Sequence, residues 1–186
     1  MIAVIDYGAG NLRSVINAVN SLGFEPLVTS NPEDIRRADK VILPGVGAAG
    51  STVESLKQQG LDAVIAEYIA AGRPFMGICI GMQVLFDYTE EGGGAECLGI
   101  IPGRVKKLPA SLKVPHMGWN QVSQVNLHPV FKGIEDESYF YFVHSYYVEP
   151  EDDSIIIGST RYGIDFASAV ASGNLVAVQF HPEKSG

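Results

Sequence analysis

The sequence has little charge, few cysteines and no long apolar run, and each shortage excludes a class of protein. Its 186 residues hold 13 Lys and Arg against 21 Asp and Glu, a formal net charge of −8. A protein that binds DNA or RNA through phosphate contacts needs the opposite balance, so we expect no nucleic-acid partner. The apolar stretches are strand-sized and broken by Gly, Pro or charge, below the ~20 residues of a membrane-spanning helix. We therefore expect no membrane association.

Only two cysteines are present, and the first residues have neither the basic segment nor the cleavage site of a signal peptide. We therefore expect a cytoplasmic protein, in which a chain with 46% apolar residues needs no structural disulfide. Cys79 and Cys97 lie 97 − 79 = 18 positions apart, without a Cys-x-x-Cys or His-x-x-x-His pattern, which disfavours a zinc site. We expect no metal and no cofactor, and we interpret Cys97 as a packed or partly exposed structural thiol.

The first half of the chain predicts four strands that each lead into a helix. The strands are predicted at residues 2–6, 26–29, 40–43 and 74–78. A glycine-rich turn at 7–10 follows the first strand, and Ser51 with Glu54 matches a capping box that predicts one helix to about residue 72. Such alternation is typical of a doubly wound fold, in which ligands bind at the carboxyl ends of parallel strands.

The second half predicts strands without long helices between them. These runs lie at residues 104–108, 139–148, 154–161 and 175–180, a pattern typical of antiparallel pairing. Residues 109–129 form the longest region without a regular pattern. At ~150 residues per domain, we expect a single α/β domain over 1–186. Its mostly parallel central sheet is flanked by helices and continues into an antiparallel, strand-rich C-terminal half.

A candidate nucleophile lies where the fourth strand meets its helix. Residues 77–81 read Gly-Ile-Cys-Ile-Gly, and a nucleophile on a sharp strand-to-helix turn needs neighbours without side chains. The N–H groups of a helix N-terminus also favour a thiolate. We therefore predict that Cys79 is an activated nucleophile rather than a small core residue.

A candidate base follows the last strand, because His181 is followed two residues later by Glu183. Acyl transfer from a thiol needs a general base, and the base works better when a carboxylate orients it. The other histidines have no carboxylate placed in this way and are interpreted as structural or surface groups: His116, His128 and His144. Cys79, His181 and Glu183 are thus the predicted catalytic residues.

Two phosphate-binding patterns are absent. Arg13 replaces the third glycine of a dinucleotide fingerprint at 8–13, and no P-loop occurs. The Pro-Gly-Val-Gly sequence at 44–47 allows backbone N–H groups to approach a ligand or an oxyanion. Taken alone, it is more typical of a tight turn.

Together, the motifs at 44–47, 77–83 and 181–183 resemble those of the class I (triad) glutamine amidotransferases. Segments 6–12, 115–120 and 141–146 are similar to the glutaminase subunits of imidazole glycerol phosphate synthases, and the resemblance spans residues 1–186. It implies hydrolysis of glutamine through a thioester on Cys79, with His181 as base and then acid and Glu183 orienting it. It also implies a heterodimer with a (β/α)8-barrel cyclase, which uses the ammonia to make imidazole glycerol phosphate and an aminoimidazole carboxamide ribonucleotide in histidine biosynthesis.

The resemblance assigns further roles. Glutamine binding and the oxyanion hole are implied for Gly45, Val46, Gly47, Ile80, Gln83, Glu91, Ser145 and Tyr146. The segment 45–47 is implied to be a strand whose rearrangement completes the oxyanion hole. Contact with the cyclase is implied for Asn11, Trp119, Tyr141 and Lys184. A hole that forms only with the partner withholds ~3 kcal/mol of transition-state stabilisation, so we predict low activity of the chain alone. The family's final helix, after His-Pro-Glu-Lys-Ser, is expected to be lacking from 1–186.

Three alternatives remain. A different triad glutaminase would serve pyridoxal phosphate, anthranilate or nucleotide synthesis, and segments 116–120 and 141–146 argue against it. A cysteine peptidase or stress-response hydrolase would react at Cys79 and ignore glutamine. A docking subunit without turnover would bind the cyclase and release no glutamate.

Overall fold

The computed structural model describes residues 1–8 and 11–185, so two positions of the predicted glycine-rich turn, 9 and 10, and residue 186 lie outside the described residues. The strands are β1 Ile2–Ile5, β2 Leu27–Thr29, β3 Lys40–Leu43, β4 Phe75–Ile78, β5 Tyr88–Thr89, β6 Ala95–Glu96, β7 Gly103–Lys107, β8 His116–Gln124, β9 Ser138–His144, β10 Tyr146–Pro150, β11 Ile156–Tyr162, β12 Ile164–Ser172 and β13 Leu175–Val178. The helices are α1 Leu12–Ser21, α2 Pro32–Arg37, α3 Ala49–Gln58, α4 Leu61–Ala70 and α5 Ile80–Gln83, and short 3-10 turns lie at Glu91–Gly93, Pro129–Phe131, Asp153–Ile155 and Pro182–Lys184.

Five parallel strands, in the order β2-β1-β3-β4-β13, form one half of the sheet, here called the parallel half. Its inner strands are largely buried apolar runs, as expected for a parallel sheet covered by helices. The last strand of the chain, β13, lies beside β4, and Ile78 pairs with Val178. The segments that carry Cys79 and His181 therefore begin next to each other, at the carboxyl ends of two neighbouring strands.

The antiparallel half consists of β7 to β12. From β13 the sheet continues through β12, β10 and β7, while β11, β8 and β9 branch from β12. In the β8–β9 pair, His116 lies opposite His144 and Trp119 lies opposite Tyr141. The predicted α/β class, with an antiparallel C-terminal half, is confirmed.

Four details of the predicted elements were wrong. The helix predicted to run to residue 72 ends at Gln58 and restarts at Leu61, because Gly60 has a left-handed φ of 65°. No capping box forms, since α3 begins at Ala49 and the Ser51 hydroxyl donates to the carbonyl of Ala48 within the first turn.

The other two errors concern strands. The region 109–129 contains β8, whose polar residues Asn120, Gln121 and Ser123 hide its alternation and whose pairing with β9 decides its conformation. The run 139–148 is divided at Ser145 into β9 and β10, which pair with different strands. In the described part of the chain, no helix combines the length and the apolarity needed to cross a membrane.

Candidate active site

Cys79 lies between β4 and α5 in a strained backbone conformation, with φ 54° and ψ −108°. Such a left-handed φ costs a residue with a side chain about 1–3 kcal/mol and is most often found at functional sites. A sharp strand-to-helix turn of this kind presents its central side chain at the carboxyl end of the sheet. The side chain is 4% exposed, so its sulfur meets solvent only through the adjoining cavity.

Three glycines let this turn pack against the end of β3. A Cβ added at Gly81 would lie 2.0 Å from the carbonyl oxygen of Leu43, and one at Gly77 would lie 2.5 Å from the carbonyl oxygen of Gly81. One at Gly45 would lie 2.6 Å from the Gly81 amide nitrogen. These separations are far below van der Waals contact, so the nucleophile turn requires glycine at all three positions.

His181 and Glu183 form an oriented, buried pair. The His181 Nδ1–H donates to Oε1 of Glu183 over 2.8 Å, and the two side chains are 2% and 4% exposed. With its proton on Nδ1, the imidazole presents Nε2 as an acceptor. This nitrogen is buried without a hydrogen-bond partner, and His181 lines the same cavity as Cys79. The imidazole can therefore accept a proton inside the cavity.

The Cys79 thiol is protonated at rest. Its pKa is raised to about 12, mainly by burial and to a lesser extent by the charge of Glu183, while the backbone N–H of Ile80 lowers it in part. The Ile80 N–H at the helix N-terminus favours the thiolate as expected, but desolvation of the charged form outweighs it in the resting site. The nucleophile needs a base at the moment of reaction, and His181 is the group available.

A cavity of about 330 Å³ adjoins these residues, within the range of small-molecule sites. With Cys79 and His181, it is lined by seven of the eight residues predicted for glutamine: Val46, Gly47, Ile80, Gln83, Glu91, Ser145 and Tyr146. Gly45 instead packs beneath α5. The segment 45–47 is a loop rather than the strand that the resemblance implied. Sequence reasoning missed three further lining residues: Pro115, Val143 and His144.

An amide chain links the cavity wall to the nucleophile. Gln83 donates from Nε2 to the carbonyl of Tyr146 over 3.0 Å and to Oε1 of Gln179 over 2.9 Å. Gln179 donates from Nε2 to the Cys79 sulfur over 3.6 Å. These bonds leave Oε1 of Gln83, a residue that lines the cavity, buried without a partner. Sequence reasoning also missed Gln179, although its place two residues before His181 at a strand end was a usable signal.

Glu91 also lines the cavity, and its carboxylate is anchored. Its Oε2 accepts a hydrogen bond of 2.8 Å from the backbone N–H of Ala49, the first residue of α3. A carboxylate at a helix N-terminus is stabilised by the helix dipole. Glu91 therefore supplies a fixed negative charge to the cavity.

Three of the four residues predicted to meet a partner form one cluster. The Trp119 and Tyr141 rings lie 6.1 Å apart in an edge-on arrangement, and the Lys184 ammonium lies 5.9 Å from the Tyr141 ring centroid. Trp119 is 55% exposed. The backbone carbonyl of Tyr141 accepts from the His181 N–H over 2.9 Å, so the cluster adjoins the catalytic segment. Asn11 lies directly before α1, which packs beside the turn Pro182–Lys184.

Among residues 1–8 and 11–185, no three His, Cys, Asp or Glu side chains form a group able to hold a metal ion. Both cysteines are free and buried.

Known proteins match the chain in sequence over its full length. Residues 3–186 match the family model described as glutamine amidotransferase class-I. A protein of Dehalococcoides mccartyi named imidazole glycerol phosphate synthase subunit HisH is 58% identical over 186 residues, covering 100% of this chain and 91% of that protein. A protein of Methanothermobacter thermautotrophicus with the same name is 50% identical over 186 residues, with 100% and 92% covered.

Solved structures share the fold at low sequence identity. A crystal structure of a glutamine amidotransferase has a TM-score of 0.78 at 18% identity, covering 98% of this chain and 91% of that one. The structure of PurLQS from Thermotoga maritima has a TM-score of 0.77 at 21% identity, covering 98% and 87%. At these identities the likeness shows the fold alone.

Proposed function

The chain belongs to the class-I glutamine amidotransferase family, and from this premise we propose that it hydrolyses glutamine at Cys79, with His181 and Glu183 as its catalytic partners. Its relatives are named as subunits of imidazole glycerol phosphate synthase. The function that follows is release of ammonia from glutamine and its delivery to a second subunit in histidine biosynthesis. We propose that residues 1–186 act as one glutaminase domain, because β4 and β13 are neighbours in a single sheet.

The reaction begins with proton transfer from the Cys79 thiol to Nε2 of His181. The sulfur attacks the side-chain carbonyl carbon of glutamine, and a tetrahedral oxyanion forms. His181 gives the proton to the amide nitrogen of the intermediate, and the C–N bond breaks. Ammonia departs, and a glutamyl thioester remains on Cys79. Water then attacks the thioester with His181 as base, which releases glutamate and restores the thiol. The observation that carries this proposal is the buried, unpartnered Nε2 of a carboxylate-oriented histidine in the same cavity as a buried cysteine on a strained turn.

Binding of the substrate uses its two charged ends. We assign the α-ammonium group to the Glu91 carboxylate and to Oε1 of Gln83, because both residues line the cavity and Oε1 is an acceptor without a partner in the protein. We assign the α-carboxylate to the backbone at Ser145 and Tyr146. Backbone N–H groups of the loop that contains Val46 and Gly47, with that of Ile80, would stabilise the oxyanion.

The partner that we propose is a (β/α)8-barrel cyclase subunit, bound at Trp119, Tyr141, Lys184 and Asn11. Exposed tryptophan and tyrosine are common anchors of protein interfaces. The Tyr141 carbonyl holds the backbone of His181, so a partner at this cluster can affect the catalytic segment. We expect low glutaminase activity without the partner. A cytoplasmic location remains a prediction.

Glutamate release from glutamine tests the proposal. The purified chain is assayed alone and with a cognate cyclase subunit and its nucleotide substrate. We expect low activity alone, strong activation in the complex, and loss of both in Cys79→Ala. The matched control is Cys97→Ala, since Cys97 is the other buried thiol, and it should retain activity.

The alternatives give different results in the same assay. A verified complex that releases no glutamate would support a docking subunit without turnover. Reaction of Cys79 with thiol reagents, without glutamine turnover or partner binding, would support a peptidase-like hydrolase.

A further inference from the structure

A pair of buried histidines outside the triad contacts the glutamine cavity. We propose that His144 and His116 are positioning residues that orient Gln83 for substrate, acting through the backbone carbonyl of Tyr146. The inference rests on the proposed function and extends it, because neither histidine carries out a step of the reaction.

The two rings form a continuous hydrogen-bonded chain. Nδ1 of His144 lies 2.8 Å from the Tyr146 carbonyl oxygen, and its Nε2 lies 2.9 Å from Nδ1 of His116. Nε2 of His116 lies 3.2 Å from the side-chain nitrogen of Asn120, which also donates to the carbonyl of Arg161 over 3.0 Å. Every ring nitrogen of the pair therefore has a partner.

The direction of each bond follows from the ends of the chain. A carbonyl oxygen only accepts, so His144 must donate from Nδ1. Burial lowers the pKa of His144 to about 3 and that of His116 to about 4, so both rings are neutral at pH 7. Each ring then carries one proton, Nε2 of His144 accepts, and His116 donates from Nδ1. The remaining Nε2 of His116 accepts from the Asn120 amide, which donates both of its protons.

At its Tyr146 end, the hydrogen-bonded chain determines which side of the Gln83 amide is left free. The Tyr146 carbonyl accepts from both His144 and Gln83, which uses its two lone pairs. Because Gln83 must donate to this carbonyl and to Oε1 of Gln179, its own Oε1 is left as the free acceptor. A carbonyl turned away from Gln83 would allow its amide to flip and present N–H groups to an ammonium group. His144 itself lines the cavity.

Packing holds the middle of the chain in place. The His116 ring stacks on Tyr162 with ring centroids 4.0 Å apart and on Phe142 with centroids 4.9 Å apart. A ring fixed between two aromatic planes keeps Nδ1 aimed at His144. His116 thus supports the Nδ1–H tautomer of His144 by donating to its Nε2, and His144 in turn donates to the Tyr146 carbonyl.

Steady-state kinetics of the complex with its partner test the proposal. His144→Phe keeps a ring and removes the donor to Tyr146, and we expect the KM for glutamine to rise about tenfold with a smaller change in kcat. His144→Asn places an amide N–H near the position of Nδ1 and should restore most of the KM. His116→Phe should raise KM by a smaller factor. His128→Asn, a histidine outside the hydrogen-bonded chain, should leave KM unchanged.

A merely structural pair gives a different pattern. It would lower the unfolding temperature in His144→Phe and His144→Asn alike, without a selective change in KM, and that result overturns the proposal. An active wild-type complex with unchanged KM in His144→Phe also overturns it, whereas an inactive wild-type complex contradicts the proposed function itself.

Nitrogen-15 NMR of the histidine side chains supplies a second readout that does not depend on activity or on stable variants. We expect His116 and His144 to carry their protons on Nδ1 at pH 7. An Nε2–H tautomer in either ring overturns the proposal.

Discussion

The parallel and antiparallel halves of the sheet contribute to one cavity by different means. In the parallel half, Cys79 and His181 follow neighbouring strands, and backbone contact at Gly81 places the nucleophile. In the antiparallel half, the pocket wall at Tyr146 is held by buried side chains, His144 and His116, which lie opposite one another across β8 and β9. The nucleophile turn is positioned by backbone packing, and the pocket wall at Tyr146 by polar side-chain contacts.

This difference determines which changes each half tolerates. A turn held by close backbone contact is distorted when a single carbon is added, because the interior is already close-packed. A position defined by buried hydrogen bonds fails when a donor is removed, because an unpaired polar group in the interior is costly. The variants below test this contrast, from the largest expected effect to the smallest.

Removing the charge of Glu183 should have the largest effect on catalysis. Glu183→Gln weakens the orientation of His181 and the stabilisation of its protonated form, and we expect kcat to fall roughly 10³- to 10⁴-fold, as for the carboxylate of a serine-protease triad. Glutamate release by the complex measures it. Glu54→Gln, an exposed change on α3, is the matched control, and an activity of Glu183→Gln within tenfold of wild type would contradict the assigned role.

The reactivity of the Cys79 thiol should be lower than that of a free thiol by about a thousandfold at neutral pH. A pKa of about 12, against an ordinary value of 9.0, means about a thousandfold less thiolate below pH 9. We expect the iodoacetamide reaction of the chain alone to accelerate steadily from pH 7 to pH 10. A rate that levels off near pH 8 would show a preformed thiolate and refute the resting state described here.

Adding one carbon at Gly81 should distort the nucleophile turn. Gly81→Ala places a Cβ 2.0 Å from the Leu43 carbonyl oxygen, and the displacement of about 1 Å needed to relieve it should lower kcat about a hundredfold. Urea unfolding should show a loss of stability as well. In Gly50→Ala the new Cβ meets only Ala95, at 3.6 Å within a helix, so this variant should be at least as stable as wild type.

Truncation of Trp119 should weaken the partner complex. As a central aromatic anchor it contributes about 2 kcal/mol, so Trp119→Ala should raise the Kd for the partner about 30-fold. Titration calorimetry measures the affinity. Leu127→Ala removes a side chain that is 100% exposed and should not alter it. A Kd unchanged in Trp119→Ala would place the interface elsewhere.

A last effect, on stability rather than on activity or binding, is a dependence on pH from the antiparallel half. The ordinary histidine pKa of 6.5 applies to the unfolded chain, while folding lowers the pKa of His116 to about 4 and that of His144 to about 3. Below pH 6.5 the unfolded state therefore binds more protons than the folded state. The free energy of unfolding decreases as the pH is lowered from 6.5 to about 4 for His116 and to about 3 for His144. Each histidine contributes up to about 1.4 kcal/mol per pH unit.

Urea unfolding at pH 7, 6 and 5 measures this slope. It should become shallower in His144→Asn, which has no titrating ring, and stay the same in the control His128→Asn. A slope unaffected by His144→Asn would mean that folding does not lower the pKa of His144.

Local motifs in the sequence predicted much of the parallel half. The Gly-Ile-Cys-Ile-Gly sequence indicated a strand-to-helix turn at Cys79, and the position of Glu183 two residues after His181 indicated a pair that is indeed hydrogen-bonded. The roles of these residues in glutamine hydrolysis remain predictions. Less was visible in the antiparallel half, where β8 was taken for an irregular region, because its conformation depends on a strand that lies more than a dozen residues away.

The sequence by itself determined the order of the elements that carry Cys79 and His181, and the need for glycine at Gly77, whose added Cβ would meet Gly81 within the same turn, because both are local in the chain. Only the tertiary structure decided that Gln179 contacts the sulfur and that His116 hydrogen-bonds to His144, since both contacts join residues distant in the chain. It also decided that the thiol is protonated at rest. A pKa is determined by burial and by neighbouring charges, and these exist only once the chain has folded.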